Sequence, residues 1–342
     1  MNEDLINEFL KNKSVSDDVS IYDQKHKKII ENVDLKKDLS KFRNWELQND
    51  MGLKYRLGPL PKMFLNYYRL KLLNPLIEIF NKRINHYFEF SSLLDDIEII
   101  KKVGGNNFLN ENPQNKTPGA YNYPLINGYS VSARWLRYIY FITQIHKNKL
   151  LSNNSIWVDV GSYYGGLQGL VKKYYPDTKI IMIDFEHQLI RSYMYLKTLY
   201  PNSNHVFPKN VKTLKSFENL SKGSIVYIDQ KDFNLIKNFK VDLFTNFFSL
   251  GEMKKPTFNN YINSPLYLKS KTVYMANRFS SSPYFDQTYD DNINIFDYQD
   301  NRNLTYFDVL PINHYQINYR NLFGRKFFRN ISSPYFEIIF KS

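Results

Sequence analysis

The stretch Ile156-Trp157-Val158-Asp159-Val160-Gly161-Ser162-Tyr163-Tyr164-Gly165-Gly166-Leu167 decides how this chain folds. Apolar residues lead into Asp159. Gly161 follows two residues later, a glycine pair stands at Gly165 and Gly166, and a helix-like run continues to Tyr175. The pattern predicts a buried strand, a glycine-rich turn and a helix start. An open α/β sheet makes a nucleotide-cofactor site in this way, at the carboxyl end of its first strand. Glycines serve there because a Cβ would hold the backbone away from a ligand, and because some turn positions need positive φ.

Outward from this stretch, short apolar runs alternate with helical ones, which predicts a mostly parallel sheet. Strands are expected at Ile156–Val160, Lys179–Asp184, Ser224–Ile228, Val241–Asn246, Thr272–Ala276 and Tyr335–Phe340. Further short strands fit His205–Phe207 and Phe307–Leu310. Helices are expected at Gly166–Tyr175, at Glu186–Tyr200 and around Phe258–Ser264, with Pro176 and Pro201 as stop signals. The fold class is therefore α/β: a Rossmann-like sheet at 151–342, mostly parallel with an antiparallel last strand. Residues 1–150 read as a helical N-terminal extension or lid. Within it, 132–149 is a strong helix. Gly104–Gly128, rich in Gly, Asn and Pro, reads as a loop. Between Phe279 and Asn303 the chain is rich in Asp, Asn, Ser and Tyr, and reads as an excursion over the cofactor edge of the sheet.

The 342 residues contain no cysteine, which removes disulfides, thiolate zinc sites and a cysteine nucleophile. A reducing cytoplasm fits, and the acidic start Met1-Asn2-Glu3-Asp4 lacks the order of a signal peptide. The most apolar helical run, Tyr138–Ile145, lies between Arg137 and Lys147, far short of the roughly 20 residues that span a bilayer. Net charge is +13, spread along the chain rather than gathered in a block. Such a surface suits anionic partners, nucleotide-linked sugars and phosphorylated glycans among them.

Three nucleotide cofactors compete for the glycine turn. A P-loop fails, because Leu167 and Gln168 stand where Lys and Ser/Thr are needed. A dinucleotide turn is poor, because Tyr163 occupies its second glycine position and Asp159 would face a pyrophosphate. S-adenosylmethionine carries no phosphate, and its ammonium suits an acid at Asp159. Asp184, at the tip of the next strand, can accept both ribose hydroxyls. Phe185 can lie against the adenine, and Asp229 can accept from the adenine amino group. The competing explanation for Asp184 and Asp229 is that they cap the helices that follow.

These residues carry a resemblance. The run Asp159–Leu167 resembles motif I of class I S-adenosylmethionine-dependent methyltransferases. More narrowly it is similar to the bacterial sugar O-methyltransferase family, whose turn reads E-I-G-x-G-Y-G-G-L. Ile183–His187 with Tyr195-Leu196 is similar to that family's I-D-L-P-E … Y-L segment. Val241–Met253 resembles its V-D-L-x-x-N-x-x-S-x-x-E-M segment, and Asn277-Arg278 also fits. The resemblance spans roughly residues 125 to 280. It departs at Asp159 for Glu, Tyr163 for Gly, and Glu186-His187 for Pro-Glu.

The resemblance implies methyl transfer to a sugar hydroxyl in bacterial surface glycan or glycosylated metabolite synthesis. Cofactor contacts are expected from Asp159, Gly161, Ser162, Gly165, Asp184, Phe185, Asp229 and Asn246. Glu252 is placed as the general base, facing the methyl, and His314 is a second candidate. Some sugar O-methyltransferases recruit a divalent metal, but no His or carboxylate cluster here has metal-ligand spacing. Arg278, Tyr284 and Tyr289 are candidates to line a sugar site. The positive charge prompts an alternative, methylation of RNA or DNA. Asn246-Phe247-Phe248-Ser249 lacks the prolines that hold a flipped base, which argues against it. A non-catalytic binding protein on a cofactor fold is a third reading, supported only by Tyr163.

Overall fold

A computed structural model describes residues 2–14, 93–120, 125–281, 292–298, 300–312, 316–320, 326–331 and 335–342. Its strands are β1 (Leu125–Ile126), β2 (Tyr129–Ser130), β3 (Ile156–Val160), β4 (Lys179–Asp184), β5 (His205–Val206) and β6 (Ile225–Asp229), then β7 (Leu243–Phe247), β8 (Thr272–Arg278), β9 (Asn303–Val309), β10 (Gln316–Arg320), β11 (Lys326–Ile331) and β12 (Tyr335–Lys341). The described residues fall into two compact units. One holds the N-terminal helix Asn2–Lys11, residues 141–310 and β12. The other holds residues 93–140 and the β10–β11 hairpin.

In the second unit the segment expected as a loop is partly ordered into elements. A helix spans Asn106–Glu111 and buries Phe108 and Leu109. β1 and β2 pair as a hairpin whose turn residues Asn127 and Gly128 both take positive φ. That is the conformation an Asn-Gly pair favours in a two-residue hairpin turn. Two polar residues of the segment, Asn112 and Gln114, are buried, while Asn106, Asn107, Asn110 and Asn115 are exposed. Trp135 Nε1 donates to the Asn112 carbonyl at 2.7 Å, and the Ser132 N–H donates to Gln114 Oε1 at 2.6 Å. A few buried polar contacts thus anchor a segment whose composition is loop-like.

The first unit contains an eight-stranded sheet in the order β5-β6-β4-β3-β7-β8-β12-β9. β5, β6, β4, β3, β7 and β8 run parallel, while β12 is antiparallel to both β8 and β9. Parallel neighbours need crossovers, and these are supplied by the helices Gly166–Tyr174, Glu186–Leu199, Lys255–Ile262 and Pro265–Leu268, among others. β9 begins four residues before the expected run and has both faces largely exposed. Its sequence therefore lacks the apolar alternation that marks a half-buried strand.

Register and pleat sort the strand residues onto two faces. Val158, Val160, Ile181, Ile183, Val226, Ile228, Phe244 and Met275 share one face and belong to a single buried apolar cluster. Each such side chain contributes about 1.5–3 kcal/mol on burial. The opposite face carries Trp157, Asp159, Asp184, Asp229 and Thr245. Many aromatics are core packing as well. Phe9 of the N-terminal helix is fully buried and lies 5.8 Å from the Tyr193 ring and 5.9 Å from that of Tyr227. His205 bonds the Tyr227 hydroxyl at 2.9 Å, and burial pushes its imidazole down to about 4, so it stays neutral.

Candidate active site

The sheet is the Rossmann-like one of class I methyltransferases: mostly parallel, with the C-terminal strand antiparallel between its neighbours. Its topological switch point lies between β3 and β7, where successive crossovers leave in opposite directions. In open α/β sheets ligands bind at this point, beyond the carboxyl ends of the strands. The glycine turn after β3 and the loop after β7 pack against one another here. Asn246 Nδ2 donates to the Val160 carbonyl at 2.7 Å, and Ser249 Oγ donates to the same carbonyl at 3.2 Å.

That contact explains Gly161. Its φ is 82°, and a Cβ there would stand 2.3 Å from Ser249 Oγ, so only glycine fits. Its N–H continues the ladder to the Ile183 carbonyl at 2.9 Å. Gly165, φ 86°, is the N-cap of the helix Gly166–Tyr174. Tyr163 adopts the same left-handed region with φ 53°. This is why the position favours glycine, and it shows what holds tyrosine there. The Tyr163 N–H donates to Asp184 Oδ2 at 2.8 Å, and Ser192 Oγ donates to the Tyr163 carbonyl at 2.5 Å. The side chain is half-buried, its ring edge-on to Tyr164 at 5.4 Å.

Asp159, Asp184 and Asp229 are all buried beside this turn. Asp159 accepts from Thr245 Oγ1 at 2.5 Å and from Gln168 Nε2 at 2.5 Å. Burial pushes its carboxyl up to about 7. The Thr245 hydrogen bond opposes the rise, and the charge of Asp184 adds to it. Asp184 and Asp229 are register partners at the tips of β4 and β6. Asp184 accepts from the N–H groups of Phe185 and Tyr163, both at 2.8 Å. Burial raises it to about 7 as well; those two hydrogen bonds oppose the shift and Asp229 reinforces it. Asp229 accepts the Lys231 N–H at 3.2 Å and lies 3.7 Å from the Lys231 ammonium. Phe185 stacks on His187 at 5.7 Å.

Two buried atoms beside the same turn, Ser162 Oγ and Gln168 Oε1, have no hydrogen-bond partner among the described residues. Unpaired buried polar atoms cost about 1–3 kcal/mol each unless a ligand completes them. The donor set suits an adenosyl amino acid. It offers buried carboxylates for an ammonium, ribose hydroxyls and an amino group, with glycine backbone allowing close approach.

On the β7 side, Asn246 is fully buried and engaged at both ends. Its Nδ2 also donates to Ser249 Oγ at 2.5 Å. Its Oδ1 accepts from the Leu250 N–H and from Asn277 Nδ2, each at 3.0 Å. Asn277 in turn accepts the Gly251 N–H at 3.2 Å. The 249–253 loop is thus stitched to the end of β8. Glu252, half-exposed, lies 3.7 Å from Arg278 Nη2. The Arg278 guanidinium lies 5.2 Å from the centre of the Tyr335 ring.

The sequence reading missed Gln168 and Thr245, which hold Asp159, and Ser249, which forces Gly161. Gln168 left one signal: a polar residue inside the apolar run of a buried helix. His314, Tyr284 and Tyr289 lie outside the described residues. Among the described residues, no three of His, Cys, Asp or Glu gather as a metal site, and no helix is long and apolar enough to cross a membrane.

No protein-family model matches the chain, and no curated protein matches it. Solved structures are similar to it at low identity. The methyltransferase domain of bacterial CtHen1 is 12% identical with a TM-score of 0.35, over 61% of this chain and 100% of that one. Thermoplasma acidophilum 1320 is 11% identical with a TM-score of 0.35, over 60% and 89%. The Haemonchus contortus phosphoethanolamine N-methyltransferase 2 in complex with S-adenosyl-L-methionine is 11% identical with a TM-score of 0.28, over 42% and 28%.

Proposed function

We propose that this chain transfers a methyl group from S-adenosylmethionine to a hydroxyl of a sugar, the acceptor being a glycan or a nucleotide-linked sugar. The observation that carries the cofactor is the gathering of buried carboxylates around a glycine turn. Asp159 and Asp184 take their hydrogen bonds from neutral donors and are raised to about 7. Buried negative charge of this kind is costly alone. It repels a pyrophosphate or triphosphate, and it favours a ligand that brings positive charge and hydroxyl donors.

In this reading Asp184 receives the ribose hydroxyls while its bond to Tyr163 N–H shapes the turn. Phe185 lies along the adenine and Asp229 accepts from its amino group. Asp159 balances the ammonium, and Ser162 and Gln168 complete their unpaired atoms on the amino-acid tail. Gly161 and Gly165 let the backbone approach. When bound, the cofactor supplies an electrophilic methyl on a sulfonium, so the protein's main task is alignment. Glu252 would accept the proton of the acceptor hydroxyl, the methyl leaving its sulfur as it joins the oxygen. Arg278 lies beside Glu252, 3.7 Å away. Asn246, with both ends engaged, positions the loop rather than touching the cofactor. The sugar acceptor rests on the resemblance carried by Ser249, Glu252 and Met253.

Titration calorimetry tests the cofactor. S-adenosylmethionine and S-adenosylhomocysteine should bind at micromolar levels, with NAD and ATP at least a hundredfold weaker. Equal binding of ATP would remove the charge argument. Glu252→Gln should leave that binding intact and lower kcat by about 10²–10⁴ in an acceptor assay, the range for a general base.

A further inference from the structure

Among the described residues, the non-glycine positions with positive φ are Asn127, Lys149, Tyr163 and Phe248. Asn127 sits in a hairpin turn and Lys149 just past the end of the helix Ala133–Lys147, where such geometry is ordinary. Phe248 has φ 74°, directly after β7. For a bulky side chain this is a genuine outlier, and such outliers gather at functional sites.

The turn itself does not need phenylalanine. Its N–H donates to the Ala276 carbonyl at 2.7 Å, and the chain then delivers Ser249 against Gly161. Glycine would make the same turn without steric cost. The ring is half-buried, so core packing is not a full explanation either. It stands edge-on to Tyr335 at 4.8 Å and is tilted against Phe141 at 6.0 Å. Tyr335 also carries the Arg278 guanidinium, which reaches Glu252. An aromatic surface, a cation and the proposed base are thus contiguous at the carboxyl end of β7.

We propose that Phe248 is a positioning residue for the acceptor: its ring carries the apolar C–H face of a pyranose and sets one hydroxyl against Glu252. Aromatic rings and a few fixed polar groups are the ordinary furniture of small-molecule sites. The inference rests on the methyl-transfer reading above. It explains why a strained aromatic is kept where glycine would serve.

The test uses the full chain saturated with S-adenosylhomocysteine and a panel of methyl pyranosides, read by saturation-transfer NMR. At least one pyranoside should receive saturation on its ring C–H protons. Phe248→Gly should weaken its binding at least tenfold, with S-adenosylhomocysteine affinity within twofold of wild type. Phe248→Tyr should restore binding, and Phe248→Leu, which keeps apolar bulk without the ring, should not. Phe248→Gly should also melt no lower than Phe248→Ala, as relief of positive φ requires. Undiminished pyranoside binding in the Gly or Leu variant overturns the proposal. So does the absence of any pyranoside signal while S-adenosylhomocysteine is bound. Failure of S-adenosylhomocysteine to bind the wild type removes the methyl-transfer reading itself, and is told apart by that measurement.

Discussion

The two faces of the eight-stranded sheet come from alternate residues of the same strands, yet they meet different physical demands. Val158, Ile181, Val226 and Phe244 lie on one face, in a wholly apolar cluster. Trp157, Asp159, Asp184 and Thr245 lie on the other, where Trp157 Nε1 donates to Thr245 Oγ1 at 2.8 Å and Thr245 donates to Asp159. Both faces are buried. The first derives its stability from apolar contact. The second places charge where burial opposes it, and so has a deficit that a ligand can fill. Burial alone therefore does not separate scaffold from site; the chemistry of what is buried does.

The largest effect should come from the apolar face. Phe244 is fully buried against Tyr267, with ring centres 5.2 Å apart. Phe244→Ala should cost about 3–5 kcal/mol in urea unfolding, the range for large-to-small core changes. A loss below about 1 kcal/mol would show that this face is not the packed core.

Asp184→Ala should behave in the opposite way. It removes a buried charge, which favours the fold, but leaves the Tyr163 and Phe185 N–H groups without their acceptor at about 1–3 kcal/mol each, so the two effects offset and the net loss should stay below that of Phe244→Ala. S-adenosylhomocysteine should bind more than tenfold weaker, about 1.4 kcal/mol or more. Asp159→Ala should do the same. Calorimetry beside urea unfolding separates the two readouts, and wild-type affinity in both variants would sink the site assignment.

The polar face should also give the protein a pH signature. Asp159 and Asp184 are raised from 3.8 to about 7 in the folded chain. Between about pH 4 and 7 the folded state then binds more protons than the unfolded one. Stability without ligand should fall as pH rises through that window and level off above it. Ligand affinity should run the other way, rising to about pH 7 as the carboxylates ionise. Asp159→Asn should flatten part of the stability slope. Gln168 Oε1 is unpaired, so a turned amide can accept from the new Asn and keep the site satisfied. Melting between pH 5 and 8 checks the sign; a stability that climbs across this window contradicts it.

The same contrast explains what could be read from sequence. β3, β4, β6, β7 and β8 were legible because strands covered on both faces read as near-continuous apolar runs. Asp159 and Asp184 stood out as acids at the ends of such runs. Thr245 did not, because its part depends on the face it shares with Asp159, and that follows only from register; Gln168 left only the mark of a polar residue in a buried helix. Only the second half of β9 was legible, at Phe307–Leu310; its first half was not, because an exposed strand has no apolar alternation. The helix at Asn106–Glu111 escaped because it is a short turn of mostly exposed Asn around the two buried residues Phe108 and Leu109, too few to show a helical period.

The smallest effect tests whether a single backbone angle belongs to the fold or to the site. Tyr163 stands where the family resemblance expects glycine, and its φ of 53° shows that the glycine geometry is kept without the glycine. Hydrogen bonds from its N–H to Asp184 and into its carbonyl from Ser192 hold it there. A left-handed residue with a Cβ costs roughly 1–2 kcal/mol. Glycine relieves that cost but gives back part of it, roughly 0.5–1 kcal/mol, through the entropy of the unfolded chain. Tyr163→Gly should therefore raise stability only slightly, by less than about 1 kcal/mol, and leave S-adenosylhomocysteine affinity equal or better. Urea unfolding and calorimetry decide it. If affinity instead drops severalfold, the half-buried tyrosine ring is itself part of the cofactor site, beside Asp184, to which its N–H donates.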